Sequence, residues 1–310
     1  MNAINHRMSR RSFVGSLAAA LAALWLGPPE LRAEGMKTIR KAIPKTGETL
    51  PVIGLGTSGT FDVGSDPTAL SELAEVVQAF FASGGELIDS SPMYGSAERV
   101  VGELLKRVGH HKLFAATKVW TDGREVGIRQ MEESLREWGI RRFDLMQVHN
   151  LRDWQTQLAT LKTWKAEGKI RYFGITTSHG RFHRELEALM RSEPLDFVQF
   201  SYNIEDRAAE ERLLPLAAER GMAVLANRPF QRGSLFRRVR GKALPAWAAE
   251  CDCASWGQFF LKFIVSHPAV TCAIPATASL KHLRDNMGAG FGRLPDVRMR
   301  KRMADYFASL

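Results

Sequence analysis

The chain has 310 residues, 45% of them hydrophobic and 25% charged, with a formal net charge of +10. That balance belongs to a globular chain, excludes a disordered or low-complexity one, and leaves room for one large domain or two small ones. Three cysteines are too few for a disulfide framework. Cys251 and Cys253, one residue apart and poorly placed to bridge each other, lack the histidines or second pair that zinc needs, so no metal is expected.

The first element in chain order is the N-terminal stretch "MSRRSFVGSLAAALAALWLGPPELRAEG", with Arg10 and Arg11 ahead of an apolar run over 14–26. A charged start, a short apolar stretch and a small-residue exit predict a signal peptide over 1–33. The order Ser9-Arg10-Arg11-Ser12-Phe13-Val14 resembles a twin-arginine (Tat) signal, which implies that machinery as a partner and an exported, periplasmic location. Leu31 is bulky for the position two before a cleavage at Ala33, so an uncleaved anchor stays open as the alternative. Past this segment nothing approaches the roughly 18 consecutive apolar residues of a membrane span, and none is expected in the mature chain. Residues 1–33 carry four arginines and one acid, which leaves +7 on the remainder. The excess gathers in "FRRVRGK" (236–242) and "RMRKR" (298–302). Both are expected to be solvated surface, and without an interleaved aromatic motif nucleic-acid binding is not expected.

From residue 36 to 310 the pattern predicts a single domain. "MKTIRKAI" followed by the turn "TGET" reads as a β-hairpin. Short β-branched or apolar runs then recur at "PVIGLG", "ELIDSS", "LFAATKV", "DLMQVHN", "RYFGITT", "FVQFSYN", "AVLANRP" and "TCAIPAT". Between them lie amphipathic stretches such as "ALSELAEVVQAFFASG" and "SAERVVGELLKRVG", with apolar residues three and four apart and glycine at the end. Strands alternating with helices argue for a parallel sheet. Eight evenly spaced strands with no break in composition favour an α/β fold of the (β/α)8 TIM-barrel type over an open doubly wound sheet. "DVRMRKRMADYFASL" predicts an extra C-terminal helix.

"VIGLGTSG" holds a literal G-x-G-x-x-G at Gly54, Gly56 and Gly59. In a Rossmann fold the helix starts inside that motif and an acid closes the next strand about 20 residues on. Here "TFDVGSD" intervenes, the helix is predicted from Asp66-Pro67, and the acid, Asp89, comes too late. The motif is therefore read as the first loop of a barrel.

Barrel catalysis is built at the carboxyl ends of the strands. Those ends present Asp89 and, in the following loop, Tyr94; then Lys118; then His149. A lysine cation beside a tyrosine is expected to pull the phenol below its usual pKa of about 10. An aspartate would hold that lysine charged, and an imidazole N–H could hold a carbonyl oxygen as charge develops on it. Together they suit proton delivery to a carbonyl oxygen. Singly, each has a duller account: a turn cap, an exposed strand end, a satisfied polar histidine. Four such residues at three consecutive strand ends favour the acid–base reading.

On these residues the chain resembles the aldo-keto reductase family. The family's D-x4-Y, lysine and histidine match Asp89, Tyr94, Lys118 and His149, and "VIGLGT", "QVHN", "VQFSYN", "HPAVTCAIPAT" and "HLRDN" look like family segments. The resemblance spans roughly residues 38–290. It implies a barrel that binds NADP(H), with NAD(H) as the alternative, and passes hydride to an aldehyde or ketone while Tyr94 supplies the proton. By position it places cofactor contacts at Gly56, Thr57, Asp89, Thr176, Thr177, Gln199, Asn227, Arg228, Pro275, Thr277 and Asn286. Trp120, with His149, is expected to face the substrate. Thr176-Thr177 stand where many members carry Ser-Asn, and Asn227 where an aromatic often stacks. Ala276 and His282 replace the lysine and arginine that many members aim at the 2′-phosphate. Those departures keep a second reading open, a nucleotide-holding module with little turnover; a barrel hydrolase fits less well for want of a second carboxylate. The loop "LRDWQ" is short, and the segment "FQRGSLFRRVRGKALPAWAAECDCAS" is expected to form a long basic lid over a permissive pocket.

Overall fold

The structure is a computed structural model that describes residues 37–109, 112–178 and 180–310. The signal expected at 1–33 lies outside them.

The described residues open with the hairpin, β1 (Arg40–Ala42) antiparallel to β2 (Thr49–Pro51). Eight parallel strands follow in sequence order: β3 (Leu55–Gly56), β4 (Leu87–Asp89), β5 (Phe114–Val119), β6 (Phe143–His149), β7 (Ile170–Thr176), β8 (Phe197–Ser201), β9 (Ala223–Asn227) and β10 (Cys272–Ala273). Bridges from Ile53 to Ala273 and from Gly56 to Ala276 join the last strand to the first, so the sheet closes on itself. The helices are α1 (Pro67–Ala82), α2 (Ala97–Val108), α3 (Arg124–Trp138), α4 (Trp154–Ala166), α5 (His183–Ser192), α6 (Leu213–Glu219), α7 (Ser234–Arg238), α8 (Trp256–Val265), α9 (Leu280–Gly288) and α10 (Val297–Ala308). The last is the extra C-terminal helix. Among the described residues no helix is long and apolar enough to cross a membrane.

The glycine motif earns its residues from this closure. A Cβ on Gly54 would stand 2.9 Å from the Leu87 carbonyl oxygen, and one on Gly56 would stand 2.8 Å from that of Ile274. Only glycine lets the first strand come that close to its neighbours. The helix starts where the sequence places it: Asp66 caps α1, accepting hydrogen bonds from the Thr68 and Ala69 amides, with Pro67 in the first turn.

Two cores follow from the barrel. Inside, Leu87, Phe114, Leu145, Phe197 and Leu225 fill the lower part, and Ile43 and Leu50 of the hairpin plug it. Outside, helix faces pack on the strands around Phe80, Met131, Trp138 and Leu161. The basic clusters depart from the expectation of open solvation at one position. Arg300 is buried, donating to the Phe263 carbonyl, the Tyr202 hydroxyl and Glu210. The thiols of Cys251 and Cys253 lie 3.7 Å apart and are free.

One buried acid makes stability depend on pH. Glu98, in the first turn of α2, accepts from Thr117 Oγ1 at 2.5 Å, Ser134 Oγ at 2.7 Å and Trp138 Nε1 at 3.1 Å. Burial pushes its carboxyl up to about 7, against the hydrogen bonds that favour the anion. A folded-state value above the unfolded one means the folded chain holds the extra proton. Its stabilisation is full below about pH 4.5 and is lost as pH rises toward 7. Glu98→Gln, which cannot ionise, should therefore gain on the parent by on the order of 3 kcal/mol between those limits in urea unfolding. An unchanged difference between the two proteins at pH 5 and 7 would refute this.

Candidate active site

The carboxyl ends of the strands open onto a cavity of about 1420 Å³, larger than the roughly 300–1,000 Å³ of a typical small-ligand pocket. Asp89, the last residue of β4, is 3% exposed and lies at its floor. Its Oδ2 accepts a hydrogen bond from Lys118 Nζ at 2.6 Å, and Oδ1 accepts from Gln199 Nε2 at 3.1 Å and Gln147 Nε2 at 3.4 Å. Lys118 projects inward from β5, is fully buried, and donates again to the Ser90 carbonyl at 2.6 Å. Burial alone would strip its proton, but the Asp89 carboxylate overrides that and holds the ammonium above its ordinary pKa.

Tyr94 stands over this pair, its ring centroid 5.1 Å from Lys118 Nζ. Its position comes from a turn after β4, in which the Tyr94 amide donates to the Ser91 carbonyl. The phenol does not follow the expected direction. Burial raises its pKa above the ordinary value, and Lys118, which pulls it down, is outweighed. The expectation of a lowered pKa counted the cation and left out the desolvation of a phenolate. The consequence is chemical: the hydroxyl keeps its proton at neutral pH.

His149 ends β6 with its ring edge-on to Tyr94, centroids 5.7 Å apart. Burial, with Lys118 nearby, drives its pKa down to about 2, so the imidazole is neutral. Its Nδ1 lies 2.8 Å from Ser91 Oγ. Asn150 and Leu151, directly after it, adopt left-handed backbone with φ of 54° and 55°, as do Arg228, Gln231 and Arg232 in the loop after β9. Non-glycine residues rarely hold that conformation, and they gather where a site over-determines the backbone.

The other expected positions divide. Gly56, Thr57, Gln199 and Asn227 line the cavity, as do Arg228, Thr277 and Asn286 further along. Thr176, Thr177 and Pro275 stand behind the wall. Thr176 Oγ1 donates to Gln199 Oε1, Thr177 is fully buried with a hydroxyl oxygen that has no partner among the described residues, and the Pro275 carbonyl receives the Gly56 amide. Asn227 is held by its neighbours, donating to the Thr177 carbonyl and accepting from Ser201. Trp120 is not among the lining residues; its ring stacks under the Arg152 guanidinium at 4.9 Å, and Arg152 is paired to Asp122. The apolar rim is instead Met93, Phe182, Phe230 and Phe236. The segment after β9 forms a folded wall, with Arg238 packed on Phe307 and paired to Glu205.

Sequence reasoning passed over Ser91, Gln147 and Arg232. Gln147 was legible in principle, because two residues before His149 on a strand means the same face. Arg232 was not, since its approach to Arg228 depends on the left-handed turn between them.

The model described as "Aldo/keto reductase family" matches residues 52–302. The chain is 30% identical over 255 residues to methylglyoxal reductase YeaE of Escherichia coli, covering 80% of this chain and 88% of that one. It is also 30% identical over 247 residues to an NADH-specific methylglyoxal reductase of the same organism, covering 67% and 73%. In fold it is similar to an aldo/keto reductase from Klebsiella pneumoniae crystallised with NADP and acetate, with a TM-score of 0.73 at 24% identity, covering 88% and 95%.

Proposed function

The chain belongs to the aldo/keto reductase family and is an NAD(P)H-dependent oxidoreductase; we propose that it reduces aldehydes or ketones at the cavity above Asp89, with Tyr94 as the proton donor. The observation that carries this reading is the Tyr94 phenol ring 5.1 Å from a buried Lys118 ammonium that is clamped by the Asp89 carboxylate at 2.6 Å. The relatives named for methylglyoxal make small oxoaldehydes the first substrates to try.

The residues present fit a nicotinamide dinucleotide. Arg228 and Arg232 line the cavity, and among the described residues neither forms a salt bridge. Burial and the neighbouring Arg232 hold the Arg228 guanidinium below its ordinary pKa, against a weaker pull from Asp206, and a bound phosphate would offset that repulsion. Asn286 and Thr277 would hold the far end of the molecule, and Gly56, Gln199 and Asn227 the reacting end. When bound, the reduced cofactor supplies the hydride. Tyr94 gives its proton to the carbonyl oxygen as negative charge grows there, and Lys118 favours the resulting phenolate. Asp89 fixes Lys118, and neutral His149 donates a hydrogen bond to the same oxygen. Ala276 and His282 leave the 2′-phosphate position without the lysine and arginine of many members, but structural neighbours hold NADP and NADPH, so NADP(H) is the first expectation and NAD(H), used by one relative, the second.

The order of residues 9–14 supports export by the twin-arginine route, in which case a folded protein would carry its nucleotide outward. The test is a fluorescence titration with NADPH and NADH, followed by a panel of aldehydes and quinones. Binding is expected to weaken at least about ten-fold in Arg228→Ala/Arg232→Ala. No binding to either nucleotide would overturn the assignment, and binding without turnover of any carbonyl would favour a nucleotide-holding module.

A further inference from the structure

The geometry points to Ser91 as a positioning residue that fixes the His149 tautomer and so aims an N–H at the substrate oxygen. This rests on the reading of the cavity as a carbonyl-reduction site.

The count of hydrogens carries it. Ser91 is fully buried, and among the described residues its Oγ has two hydrogen-bond partners: the Met93 amide, which donates to it at 3.2 Å, and His149 Nδ1 at 2.8 Å. An amide can only donate, so the serine's own hydrogen has one place to go, His149 Nδ1. Were Nδ1 protonated instead, Oγ would receive two donors and its hydrogen would be left unmatched in a dry site. That mismatch disfavours the Nδ1–H form by roughly ten-fold or more. With Nδ1 accepting, a neutral imidazole carries its proton on Nε2, the ring nitrogen free of Ser91.

The turn makes the arrangement rigid. Pro92 fixes the backbone between Ser91 and Met93, so the Met93 amide closes a local turn onto the serine oxygen. Tyr94 follows three residues after Ser91, so one short segment both presents the acid and orients the imidazole beside it. Without Ser91 the histidine would divide between two tautomers, and the Nδ1–H fraction would offer a lone pair, not a donor, to the developing charge.

Nitrogen-15 NMR of histidine-labelled protein tests this, with His149→Gln identifying the signal. The parent should show His149 as the Nε2–H tautomer, Ser91→Ala a mixture, and Ser91→Thr, which keeps the hydroxyl, the parent pattern. In kinetics Ser91→Ala should lose about ten-fold in kcat, with nucleotide affinity unchanged and recovery in Ser91→Thr. The parent spectrum requires no variant to fold. An Nδ1–H tautomer there, or a Ser91→Ala spectrum identical to the parent, overturns the assignment of Ser91. Absence of turnover in the parent would instead overturn the carbonyl-reduction reading and leave the tautomer result standing.

Discussion

Tyr94→Phe should lower kcat by about 10²- to 10⁴-fold while leaving nucleotide affinity and melting temperature close to those of the parent. The substitution removes one hydroxyl and keeps the ring, which packs against the outer core and meets His149 edge-on. Binding is expected to survive because the cationic loop and the α9 residues that would hold the nucleotide are elsewhere on the rim. The pH profile gives a second check. Tyr94 is raised above its ordinary value, Lys118 is likewise raised, and His149 is lowered to about 2. None of the three changes protonation between about pH 5 and 9, so kcat should be flat across that range. A kcat that falls with a midpoint near 7 would mean that another group supplies the proton.

Lys118→Met should damage both stability and rate, and a second substitution should separate the two. Lys118 is fully buried, and its loss leaves the Asp89 carboxylate charged and unpaired at 3% exposure. Breaking a buried pair from one side costs about 3–5 kcal/mol. Asp89→Asn on the same background removes that stranded charge while keeping an oxygen for the Gln147 and Gln199 amides. The double variant should therefore recover more than about 1 kcal/mol of stability in urea unfolding, a measurable coupling between contacting residues. Activity should stay lost in both, because neither has an ammonium beside the phenol. Recovery of rate along with stability would show that the pair serves only the fold.

Most of the barrel was legible because its signals are local and periodic. Asp66-Pro67 announces α1, "TGET" the hairpin turn, and eight apolar runs the strands. The positions of Asp89, Lys118 and His149 follow from knowing where strands end, so sequence order places them on one rim. What it could not supply was the balance of opposing terms at Tyr94. A neighbouring cation is visible in a sequence, but the desolvation that outweighs it is set by packing from several strands. Trp120 fails as a lining residue for a related reason: Arg152, thirty-two places later, covers its ring. Arg300 sits in a run that reads as solvated, yet it is drawn inward by Tyr202 and Glu210, partners far away in the chain. The paired thiols of Cys251 and Cys253 likewise depend on a left-handed Asp252 between them, with φ of 53°.

Label transfer tests the account most directly. The purified protein, a small oxoaldehyde and a reduced nicotinamide nucleotide deuterated at its hydride position should yield an alcohol with one deuterium on the carbinol carbon, formed far more slowly by Tyr94→Phe. An alcohol without the label, or no alcohol from any carbonyl offered, would contradict it.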